Sequence, residues 1–193
     1  MSDYAEQAAG AEANGAVVLL SGGLDSTVLL HHVVKDLGRS PVCVLSFRYA
    51  QKHERELAMA RWQTRGLGDA IADHAIVDLS FLGGLLGGSS ALVAGGPPVP
   101  DLEQLDAGER RQPSTYVPNR NLMLLSIAGA YAEAHECSEI YYGAQAQDEY
   151  GYWDCTPEFI ERVNRVLALN RRLAVRVIAP FAAQSKAAGV RLG

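Results

Sequence analysis

Cysteine is scarce in this sequence, and its spacing excludes the sites that cysteine usually builds. The 193 residues contain three cysteines, Cys43, Cys137 and Cys155, and no Cys-x-x-Cys pair. An odd number of widely separated thiols does not make a disulfide framework, and it fits a reducing compartment. Three cysteines also cannot supply the four soft ligands of a structural zinc site.

Long apolar runs are missing as well. No stretch approaches the roughly 20 consecutive apolar residues that a membrane-spanning helix needs. Residues 1–14 are polar and alanine-rich, without the basic start and apolar centre of a signal peptide. We therefore expect a cytoplasmic protein that makes no membrane contact, with residues 1–14 as a flexible segment.

A surplus of positive charge is the third absence. Lys and Arg number 17 against 22 Asp and Glu, which gives a net charge of -5. Nucleic-acid-binding proteins usually present a basic face, so we expect a small-molecule substrate and no nucleic-acid partner. The hydrophobic fraction of 48% suffices for one domain, expected over residues 15–193, and a homodimer is left open as its assembly.

Short apolar runs alternate with segments of helical periodicity. The run at 16–20 is continuously apolar, as in a strand buried on both faces. The alternation predicts an α/β fold, a doubly wound, mostly parallel five-stranded sheet with helices on both faces. Strands are predicted at 16–20, 41–49, 74–79, 139–143 and 175–179, and helices at 26–37, 53–65, 120–135 and 157–170.

Residues 82–115 break this alternation because they are rich in Gly-Gly and Pro-Pro pairs. A long loop is predicted there. Loops of this length are either functional lids or disordered segments, and both remain open.

The string Ser-Gly-Gly-Leu-Asp-Ser-Thr follows the first predicted strand and begins the first predicted helix. Gly22 and Gly23 let backbone N–H groups turn towards phosphate oxygens, and the helix N-terminus adds partial positive charge. Ser26 adds a hydroxyl, while Asp25 either caps the helix or helps to hold magnesium. The string therefore predicts a nucleotide site. We assign to it Leu20, Ser21, Gly22, Gly23, Leu24, Asp25, Ser26, Thr27, Val28, Leu29 and Leu30.

Two other phosphate loops are absent from the sequence, namely G-x-x-x-x-G-K-[ST] and a strand-linked G-x-G-x-x-G. Transfer of the γ-phosphoryl group is therefore not expected. The string at 21–26 is similar to the SGGxDS signature of the ATP pyrophosphatase superfamily. That resemblance implies an adenine nucleotide alpha hydrolase-like fold, ATP and Mg²⁺ as cofactors, transfer of AMP to a carboxylate or related oxygen, and catalytic roles for Asp25 and Ser26.

Further blocks resemble 7-cyano-7-deazaguanine synthases in the order that this family has them. They are FRYAQKH from Phe47, TYVPNRN from Thr115, and the block from Gly143 to Ile160 with its GYWDC core. Ala50 stands where the family usually has glycine. The resemblance spans residues 17–186.

This resemblance implies site residues beyond the nucleotide string. They are His53, Arg120, Asn121, Asp148, Tyr152 and Asp154 for the substrate, and Lys186 for catalysis. Each residue also has a plain structural interpretation, because arginine and lysine are often solvated, a lone histidine is often structural, and loop aspartates form turns.

The implied reaction adenylylates 7-carboxy-7-deazaguanine, forms an amide with ammonia, and dehydrates the amide to the nitrile, which feeds queuosine biosynthesis. The resembling enzymes carry a C-terminal zinc-binding cluster of four cysteines, whereas this sequence stops at Gly193 before such a cluster. We expect either a truncated version or a member without the zinc tail. Two alternatives stay open, a superfamily relative that acts on another carboxylate or on tRNA, and an ATP-binding homologue with reduced activity.

Overall fold

The strands of this chain form one parallel sheet. The computed structural model describes residues 15–49, 54–86, 116–144 and 152–182. The sheet is five-stranded with the order β3-β2-β1-β4-β5, and every pairing is parallel. Its strands are β1 (Gly15–Leu19), β2 (Val42–Arg48), β3 (Ile71–Asp78), β4 (Cys137–Tyr141) and β5 (Arg176–Ile178).

Helices connect the strands. They are α1 (Leu24–His31), α2 (Glu54–Gly66), α3 (Phe81–Leu85), α4 (Arg120–Ala134) and α5 (Pro157–Leu167), together with a π-helical turn at His32–Asp36 and 3₁₀ turns at Gly68–Ala70 and Trp153–Cys155. No helix in the described ranges is long and apolar enough to cross a membrane.

The sheet separates two apolar cores, because successive side chains of a strand point to opposite faces. On β1, Val17 and Leu19 pack with the core formed by α4 and α5. Ala16 and Val18 pack with α1 and α2 on the other face. Helices therefore cover both faces, and the predicted doubly wound α/β fold is confirmed.

The predicted strands and helices all occur, with shifts of a few residues at their ends. The largest strand shift is in β3, which begins at Ile71 rather than at 74. Ala72 and Asp73, near the start of this strand, are exposed at the sheet edge, so no continuous apolar run marks the start. The short helix α3 at Phe81–Leu85 overlaps the start of the predicted loop. The rest of that loop, 87–115, lies outside the described residues.

Strand order fixes where a site can form. β1 lies between β2 and β4, so the chain leaves β1 towards one side of the sheet and later returns to pair on its other side. In open α/β sheets, ligands bind outside the carboxyl ends of the strands at such a switch point. Residues after β1 and after β4 therefore meet in one crevice.

The open edge of β5 is closed by a side chain. The side chain of Asn164 on α5 donates from Nδ2 to the Val177 backbone carbonyl at 2.9 Å, and the Val177 backbone amide donates to Asn164 Oδ1 at 2.7 Å. Asn164 thus takes the place of a neighbouring strand for a residue that is 2% exposed.

Replacing Asn164 with alanine should destabilise the fold, because the two polar groups of Val177 lose their partners. We expect the free energy of unfolding to fall by about 1–3 kcal/mol, measured by chemical denaturation. Arg165→Ala is the matched control on the same helix, since its ion pair with Glu161 is exposed on both sides and contributes little. Equal midpoints for the two variants would contradict this role of Asn164.

Candidate active site

A cavity of about 480 Å³ opens at the carboxyl edge of the sheet. Residues that follow β1, β2, β3 and β4 contribute to its wall, as do the first turns of α2 and α4. The lining residues are Leu19, Leu20, Ser21, Ser26, Phe47, Arg48, Tyr49, Glu56, Leu57, Ser80, Arg120, Asn121, Leu124, Tyr142 and Gly143. The cavity therefore lies at the switch point that the strand order creates.

The segment 21–26, which we call the phosphate loop, is held by its own hydroxyls. Ser21 Oγ and Ser26 Oγ lie 2.9 Å apart, and the Gly23 amide donates to Ser21 Oγ at 3.2 Å. The Ser21 amide donates to Ser26 Oγ at 3.2 Å, while Ser26 Oγ donates to the Gly23 carbonyl at 3.1 Å. These bonds give the loop a fixed shape, with Ser21 and Ser26 at the cavity wall.

Glycine is required at position 22 for two separate reasons. Its φ of +90° lies in the left-handed region that side chains disfavour. A Cβ at this position would also lie 1.9 Å from the Glu56 carbonyl oxygen. The backbone of α2 thus packs directly on the phosphate loop.

The N-terminus of α1 begins within this loop. Gly23 is the N-cap residue and has no side chain with which to cap the helix. The first amides of a helix need acceptors and carry partial positive charge. An anionic oxygen at this end of α1 would satisfy both needs.

The residues assigned to the nucleotide do not all lie at the cavity. Ser21 and Ser26 line it, together with Leu20. Leu29 and Leu30 are fully buried in the core and hold α1 against the sheet. Their assignment, like that of the remaining loop residues, stays a prediction.

Arg120 begins α4 and brings a cation to the cavity wall. Its Nη1 donates to the Tyr49 hydroxyl at 3.4 Å, and its Nε donates to Asn121 Oδ1 at 3.2 Å. Burial alone would lower the pKa of Arg120, but Tyr49, Tyr142 and Asp154 raise it above its ordinary value. The guanidinium therefore stays charged in a partly dehydrated place, where its attraction for an anion is strong.

Asp154 lies behind this wall rather than in it. It is 1% exposed, and its Oδ2 accepts from the Asn121 amide at 3.3 Å. The Asn121 side chain returns a bond from Nδ2 to the Asp154 carbonyl at 3.3 Å, and the Tyr142 hydroxyl donates to the same carbonyl at 3.2 Å. Burial raises the pKa of Asp154, an effect that Asn121 and Arg120 oppose. In the described residues Asp154 thus anchors the start of α4.

Tyr152 and Trp153, the two aromatic residues before Asp154, are not among the residues that line the cavity. Tyr152 is partly buried against the core of α4 and α5. Trp153 donates from Nε1 to the Tyr116 hydroxyl at 2.9 Å and packs edge-on against Phe159. The assignments of Tyr152 and Asp154 to the substrate stay predictions, and those of His53, Asp148 and Lys186 fall outside the described residues.

Several lining residues were not assigned from the sequence. Arg48, Tyr49, Ser80 and Tyr142 enter the cavity because they sit at or just after the ends of β2, β3 and β4. The signal that could have found them is position, since the carboxyl ends of parallel strands share one edge. Tyr49 was visible only as part of a family-like block.

Metal-ligating side chains do not cluster in the described ranges. No group of three or more His, Cys, Asp or Glu there could hold an ion. Cys43 and Cys137 are buried in the core of α4 and α5, and Cys155 packs beside Asn121, whose Nδ2 lies 3.4 Å from its sulfur. The carboxylate of the cavity wall is Glu56, while Asp25 sits on the first turn of α1.

Solved structures with a similar fold share little sequence with this chain. The U34-tRNA thiolase NcsA from Methanococcus maripaludis, with its [4Fe-4S] cluster, aligns with a TM-score of 0.56 at 15% identity, covering 92% of this chain and 55% of the thiolase. The NH3-dependent NAD synthetase from Campylobacter jejuni aligns with a TM-score of 0.52 at 14% identity, covering 97% and 66%. These likenesses show the fold alone.

Sequence relatives are much closer. The 7-cyano-7-deazaguanine synthase of Pseudoalteromonas atlantica is 40% identical over 181 residues, which cover 92% of this chain and 78% of that protein. The synthase of a Marinomonas species is 38% identical over 178 residues, covering 92% and 77%. The family model described as queuosine biosynthesis protein QueC matches residues 15–193. The resemblance inferred from the motifs is confirmed, and the chain belongs to the QueC family.

Proposed function

We propose that the chain converts 7-carboxy-7-deazaguanine and ammonia into 7-cyano-7-deazaguanine, with ATP activating the carboxylate as an acyl adenylate. Membership of the QueC family gives the chain a role in queuosine biosynthesis as an enzyme of the ligase kind. One observation carries the ATP-dependent step: the phosphate loop and Arg120 line the same cavity.

The phosphate loop is suited to the pyrophosphate end of ATP. Ser21 and Ser26 lie at the cavity wall, and the start of α1, whose N-cap residue is a glycine, lies beside them. Backbone amide donors fixed before the ligand arrives need no reorganisation when pyrophosphate leaves. The loop would therefore stabilise the negative charge of the departing pyrophosphate without a change in its own conformation.

Arg120 is suited to the acceptor side of the reaction. A guanidinium can bind a carboxylate or phosphate through two parallel hydrogen bonds. Such binding would align the acid oxygen with the α-phosphorus and neutralise charge in the transition state. Asn121 and Asp154 hold Arg120 in place, because they fix the first turn of α4.

A magnesium ion on a nucleotide is usually held by one or two carboxylates together with phosphate oxygens. Glu56 and Asp25 provide carboxylates at this end of the sheet, so the residues present fit that modest requirement. When bound, the ion would supply charge neutralisation on the polyphosphate.

The chemistry consumes ATP in two stages. In the first, a carboxylate oxygen attacks the α-phosphorus, pyrophosphate leaves, and ammonia then displaces AMP to give the amide. In the second, the amide oxygen attacks the α-phosphorus of another ATP and pyrophosphate leaves. The oxygen then departs with AMP while the nitrogen gives up its two protons to solvent, which leaves the nitrile. A carboxylate oxygen alone is a poor leaving group, which is why the activation is needed.

The direct test is product analysis by mass spectrometry. Protein incubated with 7-carboxy-7-deazaguanine, ATP, magnesium and ammonium should form the nitrile together with AMP and pyrophosphate. If pyrophosphate appears with a different acid or with tRNA but not with this acid, the activation chemistry stands and the substrate is wrong. If no acid or tRNA elicits pyrophosphate, the proposed function is wrong.

Ser26→Ala should lower kcat/KM for pyrophosphate release by roughly 10²-fold, because the loop loses the hydroxyl that accepts from the Ser21 amide and donates to the Gly23 carbonyl, and its groups are displaced. Ser126→Ala is the matched control, since Ser126 lies exposed on α4 and bonds only within its own helix, to the Leu122 carbonyl. Unchanged kinetics in Ser26→Ala would remove Ser26 from the site.

Gly22→Ala should abolish ATP binding, because its methyl group would collide with the Glu56 carbonyl at a φ that alanine disfavours. Gly66→Ala is the control, as a Cβ there meets nothing within 4 Å. Isothermal titration with ATP measures both variants. Full affinity in Gly22→Ala, with a folded circular dichroism spectrum, would contradict the assigned nucleotide site.

A further inference from the structure

A line of polar side chains, two buried and one half-buried, connects α2, β3 and β2 behind the phosphate loop. His74 on β3 lies between two hydroxyls, with Nε2 2.9 Å from Ser46 Oγ and Nδ1 3.1 Å from Thr64 Oγ1. Ser46 on β2 is 0% exposed, and Thr64 on α2 is also buried. Such groups cost stability in an apolar interior unless they serve a defined arrangement.

The direction of the hydrogen bonds follows from the donors available. Ser46 has one hydroxyl hydrogen, which it donates to the Leu20 carbonyl at 2.7 Å. It must therefore accept from His74 Nε2–H. In a neutral imidazole, Nδ1 then carries no hydrogen and accepts from Thr64, whose single hydroxyl hydrogen is shared between His74 Nδ1 and the Arg61 carbonyl, each 3.1 Å away. Burial, together with the charge of Arg61, lowers the pKa of His74, which favours this neutral form.

One end of the line reaches the residue before the phosphate loop, and the other reaches the helix that packs on the loop. Leu20 is the residue before the loop, and its amide is bonded to the Leu45 carbonyl at 2.8 Å. With its carbonyl held by Ser46, Leu20 is fixed on both sides. At the other end, Thr64 belongs to α2, whose Glu56 carbonyl sets the closest contact of Gly22.

We propose that His74 is a positioning residue for the phosphate loop, which it fixes through Ser46 to the Leu20 carbonyl and through Thr64 to α2. His74 is not among the cavity residues, so it acts only through these partners. Its effect on ATP rests on the proposed function, whereas its effect on the loop does not. Small displacements of binding groups have large consequences for a bound reactant.

The loop itself provides the first readout. Amide hydrogen exchange of Ser21 and Gly23 in the ligand-free protein reports whether their bonds within the loop persist. His74→Phe and Ser46→Ala should each raise this exchange by roughly tenfold. His74→Gln should stay near the wild type, because its side-chain N–H can still reach Ser46. His135→Gln is the control, since His135 is an exposed histidine at the end of α4.

ATP affinity provides the second readout. His74→Phe and Ser46→Ala should each weaken ATP binding by roughly tenfold, and the double variant should bind no more weakly than either single one, because both break the same line. His74→Gln should restore most of the affinity.

A lowered melting temperature with loop exchange unchanged from the His135→Gln control would overturn the proposal, since His74 would then be only structural. Additive losses in the double variant would also overturn the path through Ser46. If the wild type binds no ATP, the proposed function fails, and the exchange measurements still decide the role of His74.

Discussion

The site depends on one close contact, that between the backbone of α2 and Gly22 of the phosphate loop. There is no room for a Cβ between Gly22 and the Glu56 carbonyl, so the loop has a single path over the end of β1. That path directs Ser21 and Ser26 to the cavity and begins α1 without a side-chain cap. The first amides of a helix carry partial positive charge and favour an anion, which links the packing of α2 to the binding of phosphate.

The remaining walls follow from strand order rather than from any local motif. Because β1 is flanked by β2 and β4, the ends of all three strands open onto the same crevice. Arg120 reaches this crevice since the buried pair of Asn121 and Asp154 fixes the start of α4. Asp154, which the resemblance assigns to the substrate, also supports the start of α4 in the structure. Its charge also helps to keep the guanidinium protonated beside Tyr49 and Tyr142.

Sequence patterns predicted the features that depend on residues close together in the chain, namely the strands and the Gly-Gly turn. The strands were found because both faces of the sheet are covered, which makes β1 a continuous apolar run, and the Gly-Gly turn was found because its chemistry is local. Arg48, Ser80 and Tyr142 were not assigned because their meeting depends on which strands pair, and pairing joins residues far apart in the chain. The line through His74 cannot be predicted from the sequence for the same reason, since its members lie on three different elements.

The net charge of the whole chain differs from the local charge of the cavity wall. The chain as a whole carries -5, which argues against a broad nucleic-acid surface. Among the described residues that line the cavity, however, Arg48 and Arg120 outnumber the one carboxylate, Glu56, although Arg48 also pairs with Asp78. A partly enclosed cleft concentrates the field of its own charges. A protein of net negative charge can therefore still carry a locally positive cavity.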